Sequence, residues 1–252
     1  MIIYIGIDDT DTLKTPGTGH LARTIAEDLS RDFHLHGVTR HQLLVDPRIP
    51  YTAQNSSAAI LIESEDFPLD EIKQRVRKIM LANFNPGSDP GLCVASEIPP
   101  EIIEYGQRVQ REVIQHQEAR ELAAAHQIYL EGLGGDENGV IGALAAVGLA
   151  ALGDDGRYVM IGRVRELKGR LPISQLLDAG ITSVCTLEGQ NVTAGKVRAY
   201  KLRPARSGGQ PVLFVEKKGK IWVERRPGSN RQPKIVKLLK KWPLLRPFFT
   251  VK

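Results

Sequence analysis

The sequence predicts a mixed α/β (α+β) protein in which a ferredoxin-like β-α-β-β-α-β unit is followed by a small, mainly-β basic domain. Three observations predict it. Strand and helix patterns alternate in the first hundred residues, a later helix is built almost wholly of small apolar residues, and the charge changes sign after residue 156. The third also suggests two regions with different partners.

The first hundred residues show four strand patterns and two helix patterns. The first strand is indicated by IIYIGID, an apolar run rich in isoleucine, and the other three are predicted at FHLHGVTRHQLLVD, SSAAILIES and GLCVAS. GTGHLARTIAEDLSRD predicts the first helix, with Thr18 as its N-cap. The second helix has a single apolar face, formed by Leu69, Ile72, Val76, Ile79 and Met80. Their order along the chain is that of the ferredoxin-like unit.

A long helix, a strand and a buried helix are predicted next. A single long helix is predicted over residues 99–127, because two prolines open it and apolar residues recur along it. IYLEGLGGDENGVIGALAAVGLAALG then predicts a strand, a glycine-rich loop and a helix that is apolar on every side and hence buried.

The last hundred residues are predicted to be mainly β. Short strand patterns follow one another as YVMIGRV, ITSVCTLEG, KVRAYKLR and PVLFVEKKGKIWVE, with a short helix near LPISQLLDAG. The final stretch is basic, is interrupted by prolines and carries Trp242, Phe248 and Phe249.

The charge is divided unevenly between two predicted domains, 1–156 and 157–252. The first holds 12 Lys and Arg against 24 Asp and Glu, and the second holds 22 against 5. The basic domain therefore either binds nucleic acid or docks on the acidic one, and charge does not separate these alternatives.

The cysteines and the hydropathy bear on disulfides, zinc sites and membrane contact. Cys93 and Cys185 are far apart and form no CxxC motif, so neither a disulfide framework nor a zinc cluster is expected, and a reducing cytoplasm is predicted. No apolar run is long enough to span a bilayer, so no membrane partner is expected.

An acidic loop at residues 8–19 is the sharpest candidate site. Asp8, Asp9 and Asp11 leave the first strand, and their oxygens suit Mg²⁺. Thr18 stands between two glycines at a helix start, where free N–H groups bind anions. Phosphoryl transfer needs these parts, although a polar turn with an N-capping threonine is the simpler interpretation of the spacing alone.

Two further motifs are more ambiguous. The glycines of GLGGDENGVIGA precede a buried helix and form either a phosphate cradle or a glycine-rich turn, but not a Walker A motif. His34 and His36 share one strand face, a spacing that permits metal binding. Without a cysteine or another histidine pair nearby, ordinary surface histidines are the preferred interpretation.

Taken in order, IGIDDTD with GTGHLA, PYTAQNSSAAI, NPGSDPGL and NGVIGALAAVG resemble the tRNA(Ile2) agmatinylcytidine synthetases of archaea. The resemblance covers about residues 1–155. That family uses ATP and Mg²⁺ to activate a tRNA cytidine for agmatine attachment. Its N-terminal part combines a kinase-like and a ferredoxin-like domain. The resemblance thus implies kinase-like nucleotide-binding elements within the first 156 residues.

The resemblance also implies roles for single residues. Asp8, Asp9 and Asp11 match the acidic motif that holds metal and triphosphate, and Thr18 matches a threonine that takes part in phosphoryl transfer. The residues expected around the nucleotide are Thr10, Gly17, Gly19, Asn55, Gly134, Gly135, Asn138, Gly139 and Gly142.

This chain departs from the family in three ways. A basic segment of the family is replaced by YTAQNSS, which lacks a Lys and an Arg, and Gly19 stands where a second threonine is usual. Two cysteines are too few for the family's zinc ribbon. The tRNA-reading apparatus is therefore expected to be absent or replaced.

The preferred hypothesis is an ATP- and Mg²⁺-dependent phosphotransferase or synthetase acting on tRNA, another nucleic acid or a small molecule. One alternative is a non-catalytic RNA-binding protein whose basic domain interleaves Arg and Lys with Tyr200, Trp222, Trp242 and Phe248. Another is a regulatory relative with a vestigial nucleotide site.

Overall fold

The computed structural model describes residues 1–226 except 13, 52, 53, 67 and 84. The predicted basic tail, with Trp242, Phe248 and Phe249, lies outside the described residues. The chain divides into two compact units, Met1–Leu152 (unit 1) and Gly153–Lys252 (unit 2).

Unit 1 contains five strands and five helices among the described residues. They are β1 (Ile2–Asp8), α1 (Thr18–Leu29), β2 (His34–Gln42), β3 (Ser56–Glu63), α2 (Leu69–Ala82), β4 (Gly91–Ala95), α3 (Pro100–Val109), α4 (His116–Ala125), β5 (Tyr129–Gly132) and α5 (Gly139–Leu152). The strands form an antiparallel sheet in the order β5-β4-β1-β3-β2. The order β4-β1-β3-β2 confirms the predicted ferredoxin-like unit, and β5 extends it at the β4 edge.

The sheet of unit 1 is covered on both faces. Ala59 and Leu61 of β3 pack with Ala146 and Ala150 of α5. The intervening residues of β3 point to the opposite face, because side chains alternate along a strand, and α1 contacts this strand. The strand is therefore a continuous apolar run rather than an alternating one. As predicted, α5 is buried on all sides over most of its length.

The predicted single helix over 99–127 is wrong. α3 ends at Val109 and α4 begins at His116. The carbonyl of Val109 accepts a hydrogen bond from the backbone N–H of Leu44 (3.2 Å), and the Gln110 side chain donates to the carbonyl of Gln42 (2.9 Å). These bonds to the end of β2 replace the next turn of α3, and no proline or glycine in 110–115 marks the break.

Unit 2 is mainly β. Its described elements are β6 (Arg157–Met160), a 3₁₀ turn (Val164–Glu166), β7 (Gly169–Pro172), α6 (Ile173–Asp178), β8 (Ser183–Thr186), β9 (Lys196–Ala199), β10 (Ala205–Ser207), β11 (Gln210–Lys218) and β12 (Ile221–Glu224). The strands lie in the order β6-β10-β11-β12-β9-β7, with β8 parallel to β11. One apolar cluster includes Ile173 and Leu176 of α6 with Leu213 and Val215 of β11.

Two further observations concern the cysteines and the membrane, about which the sequence made predictions. Cys93 and Cys185 are free thiols and both are buried. In the part of the chain that the structure describes, every helix is too short or too polar to cross a membrane.

Candidate functional site

A cavity of about 260 Å³ opens in unit 1 where β1 ends. One wall carries Asp8, Asp9, Asp11 and Thr18, and we call the whole space the acidic cavity. The first turn of α5, the segment between β2 and β3, and the break between α3 and α4 supply the remaining walls. The predicted acidic loop and three other parts of the sequence therefore line one cavity.

The carboxylates of the acidic cavity repel one another. Burial raises the pKa of Asp8 to about 8, and the negative charge of Asp9 adds to the rise. Burial also raises the pKa of Asp9 to about 6, with contributions from Asp89 and Asp11. Asp9 has a backbone φ of 48°, a conformation that is uncommon for a residue with a side chain. The cluster is therefore electrostatically costly near neutral pH unless a cation is bound.

The Thr18 side chain forms its hydrogen bonds within the acidic loop and does not cap α1. Gly17 is the N-cap of α1 and Thr18 is the first helical residue, so the predicted N-cap is wrong. The Thr18 hydroxyl donates to Oδ1 of Asp11 (3.1 Å), and the backbone N–H of Thr10 approaches the same hydroxyl at 3.5 Å. The loop folds back so that a carboxylate, which is a strong acceptor, lies within reach of the hydroxyl. Thr18 is thus buried and oriented by Asp11.

The first turn of α5 lies against Asp8. A Cβ on Gly142 would come within 1.8 Å of Asp8 Oδ2, so only glycine permits this approach. Asn138 and Gly139 line the cavity beside it. A helix N-terminus carries partial positive charge, so this turn favours an anion in the cavity.

The remaining predicted residues divide into two groups. Asn55 lines the cavity and donates from Nδ2 to the carbonyl of Leu44 (2.6 Å), which holds the segment after β2. The described residues that line the cavity do not include Thr10, Gly17, Gly19, Gly134 or Gly135. Thr10 is buried, and its hydroxyl has no hydrogen-bond partner among the described residues. Gly17 and Gly19 flank Thr18 at the start of α1.

The glycine-rich loop instead contacts Asp89. Gly135 packs directly against the carboxylate of Asp89, whose Oδ1 accepts the backbone N–H of Asp136 at 3.0 Å. The negative charge of Asp89 in turn contributes to the raised pKa of Asp9. The loop therefore contacts a fourth carboxylate, whose charge acts on the acidic cluster.

The sequence analysis missed Asp89, Arg40 and the apolar residues that line the cavity. Asp89 lies in NPGSDPG, whose two Pro-Gly pairs are compatible both with a pocket lining and with ordinary turns, so the sequence alone does not single this residue out. Arg40 of β2 donates to Ser56 Oγ (2.8 Å) and to Gln54 Oε1 (2.7 Å). Burial lowers the pKa of its guanidinium, and the negative charge of Asp11 partly opposes this effect. It supplies positive charge beside the segment that lacks the family's Lys and Arg.

The other walls of the cavity mix apolar and polar side chains. The apolar ones include Ile49 and Tyr51 from the segment before β3, and Val113 and Ile114 from the break between α3 and α4. The same two segments also contribute polar residues, among them Arg48 and Glu112. Neither segment has a periodic pattern, so no local signal could place them here.

The donor set of the acidic wall fits a hard cation. Carboxylate and hydroxyl oxygens are the ligands that Mg²⁺ prefers, and the described lining residues contain no histidine or cysteine. Apolar side chains in the same cavity also suit a ligand with a planar apolar end and a charged end.

Comparisons with known proteins identify relatives of this chain. No family model matches it. It is 30% identical over 156 residues to the tRNA(Ile2) 2-agmatinylcytidine synthetase TiaS of Pyrococcus horikoshii, a match covering 59% of this chain and 36% of that protein. The chain thus spans about a third of the curated relative's length.

Solved structures give the same result. The crystal structure of the TiaS-tRNA(Ile2)-ATP complex matches with a TM-score of 0.53 and 27% identity, over 59% of this chain and 36% of that one. The TiaS-tRNA(Ile2)-AMPCPP-agmatine complex matches with a TM-score of 0.51 and 26% identity, over 58% and 36%. A tRNA fluorescent labeling enzyme matches with a TM-score of 0.52 and 28% identity, over 59% and 36%. The resemblance seen in the sequence is confirmed for part of these proteins.

Proposed function

We propose that this chain is an ATP- and Mg²⁺-dependent phosphotransferase or synthetase that acts on tRNA, another nucleic acid or a small molecule. The observation that carries the proposal is the convergence of Asp8, Asp9 and Asp11 with the Thr18 hydroxyl on one cavity wall. Relatives crystallised with ATP or AMPCPP support a nucleotide as the ligand.

Asp8, Asp9 and Asp11 would hold Mg²⁺. When bound, Mg²⁺ would neutralise part of the triphosphate charge and so assist transfer of a phosphoryl group. Asp89, whose charge acts on Asp9, would strengthen the negative potential that retains the cation. The first turn of α5 would face the phosphate oxygens with its partial positive charge. The apolar side chains of Ile49 and Tyr51 would accept the base of the nucleotide or the acceptor.

Thr18 has two possible roles that differ chemically. As a transient acceptor, its oxygen would bond to the γ-phosphorus, the bond to ADP would break, and its proton would pass to Asp11, 3.1 Å away. As a positioning group, its hydroxyl would only donate a hydrogen bond to the γ-phosphate. The first role leaves a phosphothreonine, whereas the second leaves none.

Calorimetric titration of the full chain with ATP, with and without Mg²⁺, tests the proposal. We expect Mg²⁺-dependent ATP binding that an Asp8→Asn, Asp9→Asn double variant loses. Asp70→Asn is the matched control, because this aspartate is 88% exposed on α2 and pairs only with Lys73 among the described residues. A folded wild-type chain that binds no ATP would overturn the proposal.

RNA binding without catalysis is the second candidate, favoured by one feature of unit 2. Arg170 of β7 and Arg198 of β9 lie directly opposite each other, and both are exposed. Like charges in cross-strand pairs destabilise a sheet unless an anion lies between them. Tyr200, 68% exposed, follows on the same segment and offers a stacking surface. A phosphate backbone would satisfy this arrangement.

A further inference from the structure

A β-bulge interrupts the pairing of β2 with β3 near their exposed end. His34 pairs with Glu63 and Leu35 with Ile62, but Gly37 pairs with Leu61, so His36 is the extra residue of the bulge. Gly37 has a φ of 142°, which a residue with a side chain rarely adopts. The bulge therefore has a local cause in the sequence, and it changes the direction in which His36 projects.

The bulge brings two imidazoles and one carboxylate together. His36 Nε2 lies 3.1 Å from Glu63 Oε2, and the rings of His34 and His36 meet edge to face with centroids 5.1 Å apart. One ligand atom from each of the three residues lies within 4.8 Å of the others. A tetrahedral ion with bonds of about 2.1 Å holds its ligand atoms about 3.4 Å apart, so small side-chain rotations suffice.

We infer that His34, His36 and Glu63, here called the histidine cluster, bind one divalent transition-metal ion of the Zn²⁺ class. Imidazole nitrogen favours Zn²⁺, Ni²⁺ or Cu²⁺ over Mg²⁺, which prefers oxygen ligands. Three protein ligands leave a fourth position to water, because the cluster lies at the protein surface. The ion would join β2 to β3 at the point where the bulge breaks their hydrogen-bond ladder.

The histidine cluster is separate from the acidic cavity. Ser56 lines the cavity at one end of β3, and Glu63 is the last residue of the same strand. A strand rises about 3.3 Å per residue, which puts the two sites roughly 23 Å apart. The main rival is an ordinary exposed His36–Glu63 ion pair, for which His34 would have no role.

Metal titration of the untagged full chain, in excess Mg²⁺ to occupy the acidic cavity, distinguishes these possibilities. We expect binding of Zn²⁺, and a visible absorption band of tetrahedral Co²⁺ that Zn²⁺ displaces. His34→Gln, His36→Gln and Glu63→Gln should each weaken Zn²⁺ affinity by at least about tenfold, since even outer-shell changes at metal sites cost that much. The loss on His34→Gln separates a metal site from the ion pair.

Two controls complete the experiment. His126→Gln, at the end of α4, should keep the wild-type Zn²⁺ affinity. The Asp8→Asn, Asp9→Asn variant should keep the Co²⁺ band, and its loss there would overturn a site separate from the acidic cavity. Absence of the Co²⁺ band in a folded wild-type chain, or unchanged Zn²⁺ affinity in the three cluster variants, would overturn the inference itself.

Discussion

Gly142 of α5 lies against the carboxylate of Asp8, so that a Cβ at residue 142 would come within 1.8 Å of Asp8 Oδ2. We therefore predict that Gly142→Ala displaces Asp8 or the first turn of α5 and abolishes Mg²⁺-dependent ATP binding. Overpacking of this kind also costs about 1–3 kcal/mol of unfolding free energy. Calorimetry measures the binding, and denaturant unfolding measures the stability.

Gly148→Ala is the matched control for that prediction. It lies on the same helix, and its Cβ would come within 2.1 Å of the carbonyl oxygen of Ile102, away from the acidic wall. We expect a similar loss of stability with ATP binding retained. Retention of ATP binding by Gly142→Ala would contradict the proposed position of the ligand.

The stability of the metal-free chain should fall as pH rises. The folded-state pKa values of Asp8 and Asp9 are about 8 and about 6, well above the usual value for aspartate. Between about pH 4 and pH 8 the folded state thus binds more protons than the unfolded state, and the free energy of unfolding decreases by an amount on the order of a few kcal/mol. Urea unfolding at several pH values measures this slope.

Mg²⁺ and the Asp8→Asn variant should each remove most of that pH dependence. The cation offsets the repulsion among ionised carboxylates, and asparagine carries no charge to bury. Mg²⁺ should therefore stabilise the wild type more at about pH 8 than at about pH 5, and should stabilise Asp8→Asn little at either. An equal Mg²⁺ effect at both pH values would argue against binding by these carboxylates.

Thr18 variants should separate its two proposed roles. If Thr18 accepts the phosphoryl group, Thr18→Ala should lose ATP turnover by about 100-fold or more, Thr18→Ser should retain part of it, and phosphothreonine should appear in the wild type. Mass spectrometry of the chain after incubation with ATP detects the modification. Turnover without phosphothreonine would assign the hydroxyl a positioning role.

Thr15→Ala controls for damage to the loop. The Thr15 hydroxyl accepts the backbone N–H of Thr12 at 2.7 Å and does not line the cavity. We expect full ATP turnover in this variant. A loss equal to that of Thr18→Ala would show that loop order, and not the Thr18 oxygen, limits turnover.

The features of the cavity that the sequence predicted are those with a local signal. The apolar run of β1 ending in Asp8, and the all-apolar helix α5, are visible in a window of a few residues. The element order β-α-β-β-α-β indicated a ferredoxin-like unit because few topologies connect such elements, whereas the order of the strands in the sheet is seen only in the structure.

The features that the sequence did not predict depend on long-range contacts. The end of α3 is set by hydrogen bonds to residues 42 and 44, more than 60 positions away, and these create the wall with Val113 and Ile114. The grouping of Glu63 with His34 likewise depends on the β2–β3 register, which a pattern within one strand does not contain.

The opposed arginines of unit 2 give the last prediction. In the full chain, Arg170→Gln with Arg198→Gln should weaken RNA binding and lower the slope of log affinity against log salt by about 2, since each phosphate contact contributes about 1. The same double variant should gain about 0.2–1 kcal/mol of stability, because like charges no longer face each other across β7 and β9.

Arg31→Gln is the matched control for RNA binding. This arginine is 76% exposed just after the end of α1 and pairs with Asp28, so its substitution changes the net charge at a site outside β7 and β9. We expect an unchanged salt slope in this variant. If the double variant gains stability yet keeps the wild-type slope, then Arg170 and Arg198 repel each other without contacting phosphate, and the RNA-binding hypothesis loses the observation that favours it.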